Sequence, residues 1–137
     1  MLELPRDVYE DVIDHAQNGA PEEICGVLEG GYGQDSDHSM IETAHRAVNV
    51  ADHPRTEYAL DPEEALVLFD EIEDRGNEVV GFYHSHPAGP PHPSATDEAR
   101  ATWTDRSYVI VDLSGTPFVG SWQWTGDRFE QEIVSVR

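Results

Sequence analysis

The sequence predicts one mixed α/β domain, a central β-sheet flanked by about three helices. Three observations carry this reading. The 137 residues fit a single folding unit spanning the whole chain, 1–137. Two segments repeat apolar residues at helical spacing between start and stop signals. The remaining apolar runs have strand length and are separated by glycine, proline and aspartate turns.

The elements follow in chain order. Residues 5–18 place Val8, Tyr9, Val12, Ile13 and Ala16 on one helical face, with Pro5 suited to the first turn and Gly19 to the end. EEICGVLEGG then reads as a strand entering a turn, and GYGQDSDHS as a loop. Met40–Val50 is compatible with a strand, and Pro54 keeps the following connection out of regular helix. In DPEEALVLFDEIEDRGN, Asp61 is placed to cap a second helix, Pro62 to open it and Gly76 to end it. Its expected apolar face is Ala65, Leu66, Leu68, Phe69 and Ile72. EVVGFYHSH is a strand stopped by the prolines at 87, 90, 91 and 93. SATDEARATW can begin a short helix, and SYVIVDL, PFVGSWQW and RFEQEIVSV read as three further strands. Trp103, Trp122 and Trp124 fit packing roles, the last two alternating with Gln123 as on a half-buried strand.

Charge excludes several classes of function. The chain carries 28 Asp and Glu against eight basic residues, all arginine, for a net charge of -20. Such a field repels nucleic acid and anionic membrane surfaces, so neither is an expected partner. The acidic residues are scattered, which describes an acidic folded surface rather than a tail, a pattern resembling proteins of salt-loving organisms. In molar salt the Debye length falls to about 3 Å and screens that repulsion. Cys25 is the single cysteine, so no intrachain disulfide can form. No apolar run approaches the roughly 20 residues of a membrane span. The acidic N-terminus lacks the features of a signal peptide, and a cytoplasmic location is the default expectation.

The chemistry concentrates in GFYHSHPAGPPHPSATDE, residues 81–98. His84 and His86 end a strand two residues apart, so both imidazoles project to one side and can meet at a metal. A catalytic zinc commonly takes three protein ligands and keeps one open position. Asp97 is the best third ligand, because the proline loop can fold it back toward the strand end; His92, between two prolines, is the rival. A bare HxH is more often a structural pair, and Ser94 with Asp97 also matches an ordinary capping box. Ser85 alternates away from the histidines into a structural role.

The joint pattern alters that balance. His84, Ser85 and His86, then seven residues, Ser94, two residues and Asp97 resemble the JAMM motif of the MPN+ domain metalloproteases. PEEICGVL, residues 21–28, resembles the family's upstream glutamate segment and puts Glu23 in the glutamate position. Glu22 is the neighbour with which it could be confused; alternation sends the two to opposite faces, and only one can face a metal.

The resemblance implies the MPN fold, one zinc ion per chain and cleavage of an amide or isopeptide bond after the C-terminus of a ubiquitin-like modifier. It implies His84, His86 and Asp97 as zinc ligands and Glu23 as the base that takes a proton from water and returns it to the departing amine. It places Ser94 as hydrogen-bond donor to the carbonyl oxygen of the transition state. Cys25 shares a strand face with Glu23 and is expected to be a buried small hydrophobe. Residues 51–60 and 87–93 border the motif and are expected to grip the modifier's tail. Three alternatives stand beside the isopeptidase: processing of linear fusions, release of a terminal cysteine from a sulfur-carrier protein, and a non-catalytic scaffold that binds a modifier. Zinc deamination would need an HxE and a CxxC, which a chain with one cysteine cannot supply.

Overall fold

The computed structural model describes residues 1–33 and 38–137. Eight strands and three helices follow one another as β1 (Leu2–Leu4), α1 (Arg6–Gly19), β2 (Cys25–Gly31), β3 (Ser39–Ala47), α2 (Pro62–Asp74), β4 (Glu78–His86), α3 (Ala95–Arg100), β5 (Ser107–Asp112), β6 (Phe118–Trp124), β7 (Phe129–Glu132) and β8 (Val134–Val136). This is the expected mixed α/β domain with three helices. Of the loop expected over 31–39, residues 34–37 lie outside the described residues. Among the described residues no helix is long and apolar enough to cross a membrane.

The strands form one sheet in the order β7-β6-β5-β4-β2-β3-β1-β8. Pairing is antiparallel except for β4 with β5 and β1 with both β3 and β8. The strands β7 and β8 lie at opposite ends of this order, yet Ile133 alone separates them in the chain. The sheet therefore curls until its edges meet there, and Leu2 N donates to Ile133 O at 2.8 Å. This corrects the reading of RFEQEIVSV as one strand, since the chain leaves one edge at Glu132 and joins the other at Val134. The strand β1 was not foreseen. Three residues carry no periodic signal, and Leu2–Leu4 becomes a strand because β3 and β8 flank it.

The helices place the core on both faces of the sheet. On one face Val8, Val12 and Ala16 of α1 pack with Leu28, Ile41, Val80, Tyr83 and Val109. On the other, Ile72 of α2 packs with Val27, Val79, Phe82, Tyr108 and Trp124. Trp103 joins this second cluster, its ring centroid 5.2 Å from those of Phe69 and Phe82. The signals for α2 operate as expected: Asp61 Oδ2 accepts from Glu64 N at 3.0 Å, and Gly76 takes the left-handed φ of 79° past the helix end. The expected apolar face of α2 is corrected at Leu66, which is 63% exposed. Ala65, Leu68, Phe69 and Ile72 follow the i, i+3, i+4, i+7 stripe, and Leu66 stands about 100° off it.

One irregularity sets the phase of the strand that carries the histidines. Leu28 pairs with Gly81 but Glu29 with Val79, so β4 has an extra residue at Val80. Val79 and Phe82 consequently share the α2 face, while Val80 and Tyr83 share the α1 face. Past the bulge, ordinary alternation carries Phe82, His84 and His86 along the α2 face.

Glu29, almost wholly buried, fastens this region. Its carboxylate accepts from Arg75 Nη2 at 2.7 Å, Asn77 Nδ2 at 2.7 Å and His45 Nε2 at 2.6 Å, joining β2, β3 and the end of α2. Hydrogen bonds from Arg75, then those from Asn77 and His45, outweigh desolvation and hold the Glu29 carboxyl at about 2. A carboxyl lowered on folding stabilises the protein above its unfolded value near 4.5, and that contribution fades as pH falls toward 2. Glu29→Gln is expected to cost about 2 kcal/mol at neutral pH and to flatten the stability curve between those pH values; chemical denaturation across pH 2–7 measures both.

Candidate metal centre

The site forms where the end of β4, the start of α3 and the segment before β2 meet. His84 and His86 are 1% and 4% exposed. Their Nε2 atoms lie 3.1 Å apart, and Asp97 Oδ2 lies 3.2 Å from the first and 3.1 Å from the second. The proline loop brings Asp97 there by turning back on the strand: Gly89 N donates to His86 O at 3.0 Å, and His86 Nδ1 donates to Pro90 O at 2.8 Å. Asp97 is also the third residue of α3 and closes a complete capping box with Ser94. Its backbone N donates to Ser94 Oγ at 3.0 Å, and its Oδ2 accepts from Ser94 N at 2.9 Å. The Ser94 hydroxyl serves the cap as an acceptor, which leaves its proton available to donate.

Glu23 closes the fourth side. It precedes β2 and is held by its backbone, with Glu23 N donating to Pro54 O at 2.7 Å and Glu23 O accepting from Asn49 Nδ2 at 2.9 Å. Ser85 ties the same segment to β4, its Oγ accepting from Ile24 N at 2.9 Å. That is a structural contact on the face opposite the histidines. Glu23, His84 and His86 are all buried, with ligand atoms within 4.8 Å of one another, and this group could hold a metal ion. Glu22 and His92 are exposed, His92 Nδ1 donating to Pro93 O at 3.1 Å.

The donor set fits a cation. With its Nδ1 proton on Pro90 O, a neutral His86 turns a lone pair rather than a proton toward Asp97 Oδ2. The Nε2 atoms of His84 and His86 and Oδ2 of Asp97 form a triangle with edges of 3.1–3.2 Å. Tetrahedral zinc with ligands at about 2.0–2.1 Å separates them by roughly 3.3 Å, so the triangle has nearly the required size. Glu23 Oε1 and His84 Nδ1 are the buried side-chain polar atoms without a hydrogen-bond partner among the described residues.

The titrating groups respond to the same burial. Desolvation raises the Glu23 carboxyl to about 7; His86 pulls it down, while Asp97 and Glu57 push it further up. A cation beside it would draw it downward. Burial lowers His84 despite the Asp97 carboxylate. For His86, burial also pushes down, but Asp97 and the Pro90 carbonyl reverse the net direction to upward. Burial raises Asp97, yet the two imidazoles and Ser94 N hold it well below the usual carboxylate range.

A cleft of about 240 Å³ opens beside Asp97, with Tyr58, Phe82, Trp103 and Tyr108 on its apolar side and Arg100 at its rim. Tyr58, Ala59 and Leu60 bring the end of the 51–60 loop into its wall, whereas residues 87–93 do not line it. That segment instead holds His86 through Pro90. The sequence reading missed the role of Tyr58, whose ring stacks on His84 at 4.3 Å and 22°. An aromatic residue at a loop end has no periodicity or motif to single it out.

Cys25 pairs with His84 across the sheet and is completely buried. Burial, and then the Glu23 charge, push its thiol up to about 12. Native protein is expected to resist a thiol-alkylating reagent that modifies it fully once unfolded, a difference that mass spectrometry reads directly.

The geometry has counterparts among known proteins. Residues 5–125 match the family model described as prokaryotic homologues of the JAB domain. The chain is 43% identical over 139 residues to a desampylase of Haloferax volcanii, covering 98% of this chain and 96% of that one. It is 35% identical over 111 residues to a CysO-cysteine peptidase of Mycobacterium tuberculosis, covering 81% and 73% respectively. A Desulfitobacterium hafniense protein whose structure was determined in solution superposes with a TM-score of 0.88 at 29% identity, over 100% of this chain and 93% of that one. From the buried acid and imidazole group to the arrangement of its elements, this chain belongs to the prokaryotic JAB-domain family.

Proposed function

We propose that this chain is a zinc-dependent isopeptidase that hydrolyses the bond between the C-terminal glycine of a ubiquitin-like modifier and a target lysine, and the peptide bond after that glycine in linear fusions. The observation that carries the reading is the buried triangle of His84 Nε2, His86 Nε2 and Asp97 Oδ2 with the Glu23 carboxyl beside it. The near full-length similarity to a desampylase supports the substrate class.

In this reading His84, His86 and Asp97 hold one zinc ion. Such an ion, when bound, supplies Lewis acidity, polarising a carbonyl and bringing the pKa of water to about 7. Glu23 accepts a proton from the attacking water as a carbon–oxygen bond forms, then passes it to the amine nitrogen as the carbon–nitrogen bond breaks. Its placement suits both tasks, since the carboxyl is buried beside the two imidazoles, with its ligand atom within 4.8 Å of theirs. Ser94 donates its hydroxyl proton to the carbonyl oxygen as negative charge develops there, while its Oγ lone pair stays on Asp97 N. The cleft beside Asp97 would receive chain flanking the scissile bond, with Tyr58, Ala59 and Leu60 along one wall.

Release of a terminal cysteine from a sulfur-carrier protein is the second reading, favoured by the similarity to the CysO-cysteine peptidase. Both reactions hydrolyse an acyl bond at a modifier's C-terminus, and paired assays of a lysine-linked and a cysteine-terminated substrate separate them.

Purified protein incubated with modifier conjugates in high salt is expected to cleave them, to stop when treated with a chelator and to recover with zinc; cleavage indifferent to chelation refutes the metal. His84→Ala and Asp97→Ala are expected to lose zinc by elemental analysis. Ser94→Ala should keep zinc yet lower kcat by about 10²–10³-fold, the usual effect of deleting one such donor.

A further inference from the structure

We infer that Tyr58 is a positioning residue that fixes the plane of His84, and that Asn49 holds Tyr58 in place. This rests on the metal site proposed above. A histidine that binds a metal through one ring nitrogen ordinarily has its orientation set by a hydrogen bond from the other. His86 has that bond, from Nδ1 to Pro90 O at 2.8 Å. His84 does not: its Nδ1 is buried without a partner among the described residues. The same ring lies face to face with Tyr58, centroids 4.3 Å apart and planes 22° from parallel. A ring buried to 1% exposure and covered on one face cannot tip without displacing the ring that covers it.

Tyr58 sits in the connection between β3 and α2, outside any helix or strand, so its own position needs an account. Asn49 supplies it. Asn49 Nδ2 donates to Glu57 O at 2.9 Å, and Asn49 Oδ1 accepts from Ala59 N at 3.0 Å, gripping the residues on either side of Tyr58. Asn49 Nδ2 also donates to Glu23 O at 2.9 Å, and Oδ1 also accepts from Ala51 N at 3.0 Å. These four bonds use both donors and both acceptor lone pairs of the amide. One side chain thereby sets the Glu23 backbone and the Tyr58 ring at a fixed separation, bringing the carboxyl and the covered imidazole to the same site.

The test is zinc affinity of the full chain, measured by competition with a chromophoric chelator, alongside the thermal midpoint of each zinc-free variant. Tyr58→Phe keeps the flat ring and is expected to bind zinc like the parent. Tyr58→Leu fills space without a ring, and Asn49→Asp cannot donate to two carbonyls; each is expected to bind about 10–100-fold more weakly, the usual effect of losing a contact that orients a ligand. Should those two variants fail to fold, the parent still decides the matter, because a ring stacked on His84 must shift the His84 ring-proton resonances upfield, and Tyr58→Phe must preserve that shift. Parent-like zinc affinity in Tyr58→Leu, or unshifted His84 ring protons, would overturn the role of Tyr58 and leave the metal site standing. A parent that binds no zinc would sink the metal site and this inference together.

Discussion

A single carboxylate oxygen, Asp97 Oδ2, joins the local structure of this chain to its chemistry. It accepts from Ser94 N at 2.9 Å, completing the capping box that starts α3, and lies 3.1–3.2 Å from two imidazole nitrogens at the end of β4. The spacing between Ser94 and Asp97 is therefore constrained twice. A capping box requires the acid three residues after the cap, because only there does its side chain reach back to the cap's N–H. The same reach turns the carboxylate inward to the histidines. The structural and the functional reading of SxxD describe one interaction, and α3 needs only Ala95–Arg100 to present it.

The histidines face that oxygen because of an irregularity further back along the same strand. The extra residue at Val80 shifts the phase of β4 so that both ends of the strand bury apolar side chains on the proper faces, with His84 and His86 following Phe82. Glu29 lies beside the same irregularity, its carboxylate bound by Arg75, Asn77 and His45. Parallel pairing of β4 with β5 then ends both strands at the same rim of the sheet, His86 beside Asp112, where the proline loop and α3 can close over the β4 end. Ligands commonly gather beyond the carboxyl ends of strands in α/β sheets for this reason.

The acidic composition shapes how elements are fastened. With eight arginines and no lysine, cationic side chains are scarce, and several bridge separate elements: Arg46 reaches Asp11 of α1, Arg100 reaches Glu57 before α2, and Arg137 reaches Glu3 of β1. Exposed pairs of this kind contribute about 0–1 kcal/mol each, and salt screens them further. The contact of Arg75 with buried Glu29 differs, because that carboxylate has left water and depends on its partners.

Local signals in the sequence were sufficient for the α2 caps, for the end of β4 at the prolines and for the pairing of two histidines on one strand face. Each depends on residues within a few positions of one another, where backbone geometry leaves little choice. The spacing from His86 through Ser94 to Asp97 carried the resemblance, but only the tertiary structure brings Glu23, sixty-one residues before His84, beside the imidazoles. The break at Ile133, the strand Leu2–Leu4, the exposure of Leu66 and the cover that Tyr58 lays on His84 also arose from folding alone. These depend on which surfaces meet when a sheet curls and closes, and pairings between distant segments leave no periodic trace in one sequence.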